Sequence, residues 1–334
     1  MIASTGEIIL RFSTQQRMRL EQASSLDLNY GGSEMNVLIG LSLMGHKTRF
    51  LSRVQEGSLG RGAIRKLNSF QVDSRFIFKG PERMPLYYLE PAAGIRGGNI
   101  TYDRKNGAYN YLSPDEVDWD GFYDGAHLFH WSGITPGLSK SALELCKTAI
   151  DEAAKRQVPV SCDLHFRKNL WDFGISPGDV IPEMLSKTDH LAGNPAGILR
   201  MAGKAEKAPT GHMSKDDVFK TFELIRNEFS NLKTVSMLSR QIRSATNQTL
   251  QGLLLADKAC SAIEIPIEEI TDRIGGGDAF MAGLIHGLQK GMEDQETIDF
   301  ATAVAAYKHT INGDHLEGNI DDFLSVKTKG ELDR

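Results

Sequence analysis

The sequence predicts an α/β protein: a mostly parallel sheet flanked by helices, with a small β-sheet attached. Three observations lead there. Strand-like and helix-like segments alternate over most of the 334 residues, the pattern of βαβ units. The alternation breaks once, between Met84 and Leu112, where Tyr87, Tyr88, Ile100, Tyr102, Tyr109 and Tyr111 are interleaved with glycines and charges. Near the C-terminal end, Gly275-Gly276-Gly277 precedes Phe280, Met281, Leu284, Ile285 and Leu288 at helical spacing, so a glycine turn opens a helix.

Taken in order, Ile2 to Phe12 reads as a first strand, and Arg17 to Tyr30 as a polar segment with no helical stripe. Gly31-Gly32-Ser33 starts a helix over Glu34 to Met44, which Gly45 ends because glycine accepts the left-handed conformation past a last turn. Thr48 to Val54 is β-rich, Leu59 to Phe70 helical and Arg75 to Phe78 extended; Met84 to Leu112 reads as short antiparallel strands. The alternation resumes with a strand at His127 to Trp131, a helix at Ser139 to Arg156 and a strand at Val158 to Asp163. Arg200 to Gly211 reads as a loop, Lys215 to Phe229 as a helix, Thr234 to Leu238 as a strand and Gln295 to His309 as a last long helix. No repeat or low-complexity linker marks a boundary, so one domain over residues 1–334 is expected.

Composition excludes several classes. With 38 basic against 43 acidic residues the net charge is −5, which offers nucleic acid no general attraction. No apolar run approaches the roughly 20 residues that span a bilayer. Glu7 interrupts the N-terminus before a signal-peptide core can form, so a cytoplasmic protein without a membrane partner is expected. Cys146, Cys162 and Cys260 are too few and too separated for a disulfide framework or a paired-ligand zinc site. Among the nine histidines only His127 and His130 are close, on opposite faces of their strand, and no histidine-based metal site is expected.

The chemistry concentrates in Asp272-Arg273-Ile274-Gly275-Gly276-Gly277-Asp278. The first amides of a helix lack intrahelical partners and carry the positive end of the macrodipole, so such a turn can hold an anion without a basic side chain. Asp278, in the first turn, is placed to accept a proton from a hydroxyl. An anion hole beside a base is what phosphoryl transfer to an alcohol needs. The same residues also suit a close-packed helix start with an acidic first turn, and the turn alone does not choose between the two. The chain has no Walker-type lysine loop, no dinucleotide-binding glycine fingerprint after its first strand, no protein-kinase catalytic loop and no nucleophile elbow. Nucleotide chemistry that uses glycine amides in place of a P-loop lysine remains.

The run Asp272 to Asp278 resembles the C-terminal signature of the PfkB, or ribokinase-like, sugar kinases, in the form typical of 2-keto-3-deoxygluconate kinases. Four further blocks agree in order and spacing: Gly6 to Arg11, Gly31 to Val37, Trp131 to Pro136 and Lys308 to Asp314. The resemblance covers nearly the whole chain. It implies a ribokinase-like, Rossmann-like α/β fold with a small β-sheet lid formed by about residues 11–31 and 83–112. The implied activity is ATP-dependent phosphorylation of a sugar-acid primary hydroxyl, first of all O6 of 2-keto-3-deoxygluconate, with Mg²⁺ accompanying ATP. Rival readings are a kinase for another sugar (fructose, ribose or another keto-deoxy acid), a non-catalytic sugar or nucleotide sensor of the same fold, and, more distantly, an oxidoreductase. The implied partners are small molecules, with a homodimer through the lid as an option.

Residue by residue, the resemblance makes Asp278 the base and Gly275, Gly276 and Gly277 the anion hole. It assigns sugar contacts to Gly32, Asn36, Tyr87, Tyr102, Arg104 and Arg167, and nucleotide contacts to Asn194, Arg240, Gly275, Gly277 and Lys308. Guanidinium groups pair bidentately with a carboxylate, and tyrosines offer an apolar face with a hydroxyl, so the set suits an acid sugar. The alternative for Tyr87 and Tyr102 is packing within the small sheet, and for Arg104 and Arg167 a surface ion pair. Three blocks depart from the family pattern. Asp163-Leu164-His165-Phe166-Arg167 has His165 and Phe166 where Asn and Tyr are usual. Asn194-Pro195-Ala196-Gly197 lacks the usual final glutamate, and Leu238-Ser239-Arg240 keeps its motif only in part.

Overall fold

The computed structural model describes residues 1–165, 167, 169–211 and 213–326. The chain opens with β1 (Ile2–Thr5), β2 (Ile9–Ser13), β3 (Asp27–Gly31), α1 (Ser33–Leu43), β4 (Thr48–Gln55), α2 (Ser58–Ser69) and β5 (Asp73–Gly80). There follow β6 (Leu86–Glu90), β7 (Asn99–Asp103), α3 (Trp119–Tyr123), β8 (Leu128–Ser132), α4 (Lys140–Lys155) and β9 (Val160–Asp163). Next come α5 (Pro177–Leu185), β10 (His190–Ala192), α6 (Pro195–Met201), α7 (Lys215–Glu228), β11 (Thr234–Ile242) and β12 (Gln248–Leu255). The chain closes with β13 (Ala259–Ser261), β14 (Ile265–Ile267), α8 (Gly276–Lys290), α9 (Asp294–Lys308) and α10 (Ile320–Ser325).

The main sheet runs β13-β12-β11-β10-β9-β8-β1-β4-β5, with β14 also paired to β12. It is parallel from β11 to β5 and antiparallel at the β12 edge. From β1 the chain moves outward to β4 and β5 and then returns to β8 on the other side, so the strand order switches between β1 and β8. In open α/β sheets a ligand crevice forms outside the carboxyl ends of the strands at such a point. A second sheet, β3-β2-β6-β7, stands apart from the first.

Alternation along the strands sends successive side chains to opposite faces. Ile2, Phe50 and Leu128 enter one apolar cluster with α1, α8 and α9, while their neighbours Ala3, Leu51 and Phe129 enter another with α4 and α7. Both clusters are fully buried at these positions, and truncating a side chain such as Phe50 to alanine costs about 3–5 kcal/mol. No described helix is long and apolar enough to cross a membrane.

Several sequence expectations change. The single strand expected over Ile2 to Phe12 is two, in different sheets. Ile2 and Ala3 on one side and Ile8, Ile9 and Leu10 on the other conceal the break at Gly6, where a Cβ would lie 2.3 Å from Glu34 Oε2. The small sheet is mixed: β2 and β6 are parallel, although β2–β3 and β6–β7 are antiparallel. Its strand β3 lies almost wholly in the polar segment read as having no helical stripe. Tyr109 belongs to a 3₁₀ turn, Ala108–Tyr111, and packs in the main core with its hydroxyl 2.9 Å from Thr5 Oγ1. The segments α5, β10 and α6, and the antiparallel β12–β14 edge, had no sequence expectation.

Candidate active site

Helix α8 begins at Gly275, whose φ of +79° lies in the left-handed region. A side chain there is excluded again by space, because a Cβ would come within 1.8 Å of the Asp314 carbonyl oxygen. Gly276 is similarly confined by the His309 ring, 2.4 Å from its would-be Cβ. No side chain caps this helix, which leaves its first amides to an external anion.

Asp278, one turn in, accepts hydrogen bonds from Ser33 Oγ at 2.8 Å and Asn36 Nδ2 at 2.7 Å, both on α1. Ser33 and Asn36 are three apart and share the face of the first turn of α1. Burial raises the Asp278 carboxyl to about 6, against the opposing pull of the Asn36 hydrogen bond, the His165 ring and Ser33. Asn36 keeps its buried Oδ1 without a protein partner, an acceptor for a ligand hydroxyl.

Of the residues expected from the sequence, Gly32, Asn36, Tyr87, Tyr102, Arg104, Arg167, Arg240, Gly275, Gly277 and Asp278 line one cavity of about 540 Å³. A second cavity of about 560 Å³ adjoins it and shares Ile100, Tyr102, Arg104 and Arg167. Gly276, Asn194 and Lys308 are not among the lining residues. Asn194 Oδ1 instead accepts from Gly197 N–H at 3.1 Å, capping α6. Lys308 lies fully buried beneath the turn, with its Cε 3.3 Å from the would-be Cβ of Gly275 and its ammonium donating to Ile311 O. Burial holds Lys308 below its ordinary value, although Asp272 and Asp314 pull the other way. Phe166 lies outside the described residues.

The tyrosines and arginines divide between the two sequence readings. The Tyr87 hydroxyl donates to Asp314 Oδ1, and its ring lies 5.8 Å from that of Tyr102. Arg104 donates from Nε to the buried Glu7 at 2.9 Å and stands 5.5 Å above the Tyr102 ring. It therefore faces the cavity while already holding one carboxylate. Arg167 is exposed on the same wall.

Sequence reasoning missed a buried ionic network that ties the small sheet to the turn. Arg11 on β2 contacts Asp272 at 2.5 Å and Asp314 at 3.3 Å. Asp272 also accepts from the amides of Ile274 and Gly313, at 3.0 and 3.1 Å, so one carboxylate is shared between a strand of the small sheet and the turn itself. Glu34 was missed as well. It accepts from Ser132 Oγ at 2.7 Å and Thr135 Oγ1 at 2.5 Å, across the switch point, and burial raises its carboxyl to about 7. The available signal was a charge inside an apolar run at Arg11; Glu34, between Ser33 and Met35, carried no such signal. A third missed group is Asp163, His165 and Asp278, whose ligand-capable atoms lie within 4.8 Å of one another. Looking for close histidine pairs could not find it.

Comparison with known proteins gives the family and agrees with the fold. The model of the pfkB family of carbohydrate kinases matches residues 1–235 and 244–314. A 2-dehydro-3-deoxygalactonokinase of Haloferax volcanii is 28% identical over 340 residues, covering 100% of this chain and 95% of that protein. A 2-dehydro-3-deoxygluconokinase of Bacillus subtilis is 24% identical, over 92% of this chain and 89% of that one. The crystal structure of 2-dehydro-3-deoxygluconokinase from Thermotoga maritima superposes with a TM-score of 0.93 at 31% identity, covering 98% of this chain and 99% of the other. With its switch-point cleft, uncapped glycine turn and separate small sheet, the chain belongs to the PfkB family of carbohydrate kinases, phosphotransferases with an alcohol group as acceptor.

Proposed function

We propose that this kinase phosphorylates the primary hydroxyl of a 2-keto-3-deoxy sugar acid with ATP, and that 2-keto-3-deoxygluconate, phosphorylated at O6, is its substrate. The observation that carries the reading is Asp278, held by Ser33 and Asn36 beside the uncapped start of α8, in a cavity that Arg104 and Arg167 also line. Asp278 takes the hydroxyl proton as the oxygen attacks the γ-phosphorus. The turn amides stabilise the charge on the transferred group, and Arg240 lies on the same wall as Gly275 and Gly277. Arg167 pairs with the substrate carboxylate.

ATP and Mg²⁺ are parts of this reading. The residues present fit them: an uncapped helix start for phosphate oxygens and arginines along the cavity. Magnesium, held through water and the nucleotide phosphates, supplies positive charge to the phosphate oxygens. The small sheet, with about residues 11–31 and 83–112, forms a lid that excludes water from the transfer. A homodimer through that sheet is supported by β7, exposed along all five residues, and by exposed Leu28, Ile95 and Tyr102; sedimentation velocity tests it.

The 2-keto-3-deoxygalactonate epimer is a second reading, favoured by the full-length likeness to the Haloferax volcanii enzyme. A coupled assay with ATP, Mg²⁺, both epimers, fructose and ribose decides. Turnover of neutral sugars in preference to both acids would overturn the acid assignment and leave the family intact. Binding of sugar or ATP with no ADP formed would favour a sensor.

A further inference from the structure

We infer that Glu7 is a positioning residue for sugar recognition: by accepting the Nε–H of Arg104 it holds that arginine at the cavity, with both Nη groups left for an uncharged oxygen of the sugar acid. The inference rests on the kinase reading above and adds to it the residue that sets one of the sugar contacts. Glu7 lies between β1 and β2, where the chain passes from the main sheet to the small one. Its side chain is only 3% exposed, and its Oε2 accepts from Arg104 Nε at 2.9 Å. Arg104 follows directly on β7, every residue of which is exposed. The bond therefore ties the end of an open strand to the junction of the two sheets. The Tyr102 ring, 5.5 Å from the guanidinium, restrains it a second time. A guanidinium carries five N–H donors, of which the one on Nε is spent on Glu7. Among the described residues neither Nη has a partner, and the side chain that carries them lines both cavities.

Stability alone does not explain a carboxylate at this place. Burial pushes the Glu7 carboxyl up against the pull of Arg104, and its Oε1 is buried with no hydrogen-bond partner. An unmatched buried oxygen costs the fold free energy, and apolar residues in place of a buried ion pair often leave stability unchanged or higher. What an apolar residue could not do is hold an arginine in one orientation. A free arginine loses rotamer freedom when a ligand orders it, and a side chain already held loses less, so preorganisation adds affinity. The partner also decides which substrate atom Arg104 suits. Glu7 and Arg104 together are neutral, so the Nη donors suit a hydroxyl or keto oxygen, and the substrate carboxylate is left to Arg167.

The test separates reach from charge. Glu7→Asp keeps the charge and draws the acceptor back by one methylene, whereas Glu7→Gln keeps the reach and an acceptor and drops the charge. Both are assayed as full-length protein with ATP and the sugar acid, alone and combined with Arg104→Ala, after thermal melting has verified the fold. Glu7→Asp is expected to raise KM for the sugar acid about ten- to a hundredfold, the worth of one charged hydrogen bond, with kcat and KM for ATP within about twofold. Glu7→Gln is expected to stay within about threefold of wild type, because the acceptor remains. Without Arg104 neither variant should change KM further. If Glu7→Asp does not fold, Glu7→Met against Glu7→Gln, both uncharged and only one with an acceptor, gives the same comparison. An unmoved KM in Glu7→Asp overturns the inference. An equal rise in Glu7→Gln does so too, since charge and not reach would then matter, as does a Glu7→Asp effect that persists without Arg104. A fall in kcat with KM unchanged would place Glu7 in the transfer step and exclude the positioning role. A wild type inactive on every sugar acid removes the kinase reading and the inference with it; the other outcomes all require an active wild type.

Discussion

At the glycine turn, each working group is held from several elements at once. Asp278 on α8 is bonded by two residues of α1, and Asp272 joins β2 to the backbone of the turn. Elsewhere in the same cavity Arg167 is exposed, and in the small sheet every residue of β7 is exposed. The turn is tied down by hydrogen bonds from several elements, whereas Arg167 and β7 face solvent. The difference matches what each region has to do. Charge stabilisation is strongest when the dipoles are already oriented, whereas the lid role proposed for the small sheet requires it to open and admit substrate.

Breaking the tied-down turn is expected to give the largest effects. Asp278→Asn should lower kcat by about 10²–10⁴-fold while substrate binding, measured by calorimetry, stays within a few-fold. A near-normal kcat would move the base elsewhere. Arg11→Ala leaves Asp272 and Asp314 buried without their guanidinium and should destabilise the protein by about 3–5 kcal/mol in denaturant unfolding. A loss below 1 kcal/mol would mean that water reaches the network.

The pH dependence tests the same turn without a mutation. Burial raises Asp278 to about 6, and a base works only when deprotonated, so kcat/KM should fall roughly tenfold per unit as pH drops below about 6. A limb near the ordinary carboxylate value would remove the burial argument. Among the exposed groups, Arg167→Ala should raise KM for the sugar acid about ten- to a hundredfold, the worth of one charged hydrogen bond, with kcat little changed. An equal rise for a neutral sugar would separate Arg167 from the carboxylate. The smallest effect belongs to Asn194→Ala: about 0.5–2 kcal/mol of stability from the lost cap, with KM for ATP unmoved. A large rise in that KM would return Asn194 to the nucleotide.

Much of this was legible from local pattern. The βα alternation, the helix after Gly31-Gly32-Ser33, and the turn with Asp278 in its first helical turn all depend on residues a few positions apart. The break at Gly6 was not legible, because the side chain that confines this glycine is Glu34 on α1, 28 positions away in the chain. Lys308 looked like a nucleotide contact from its motif, yet its side chain turns inward to Ile311, a direction that only the packing of α9 under the turn sets.

What the sequence by itself determined is therefore much of the βα order, the glycine turn and the place of Asp278 in the first helical turn, since backbone freedom and periodicity are properties of neighbouring residues. Which charges meet was decided by the tertiary structure. Arg11, Asp272 and Asp314 are separated by as many as 303 positions, and His165 approaches Gly277 only because β9 and the start of α8 end at the same edge of the sheet. Burial then sets the strength of each pairing, and burial is a property of the assembled fold.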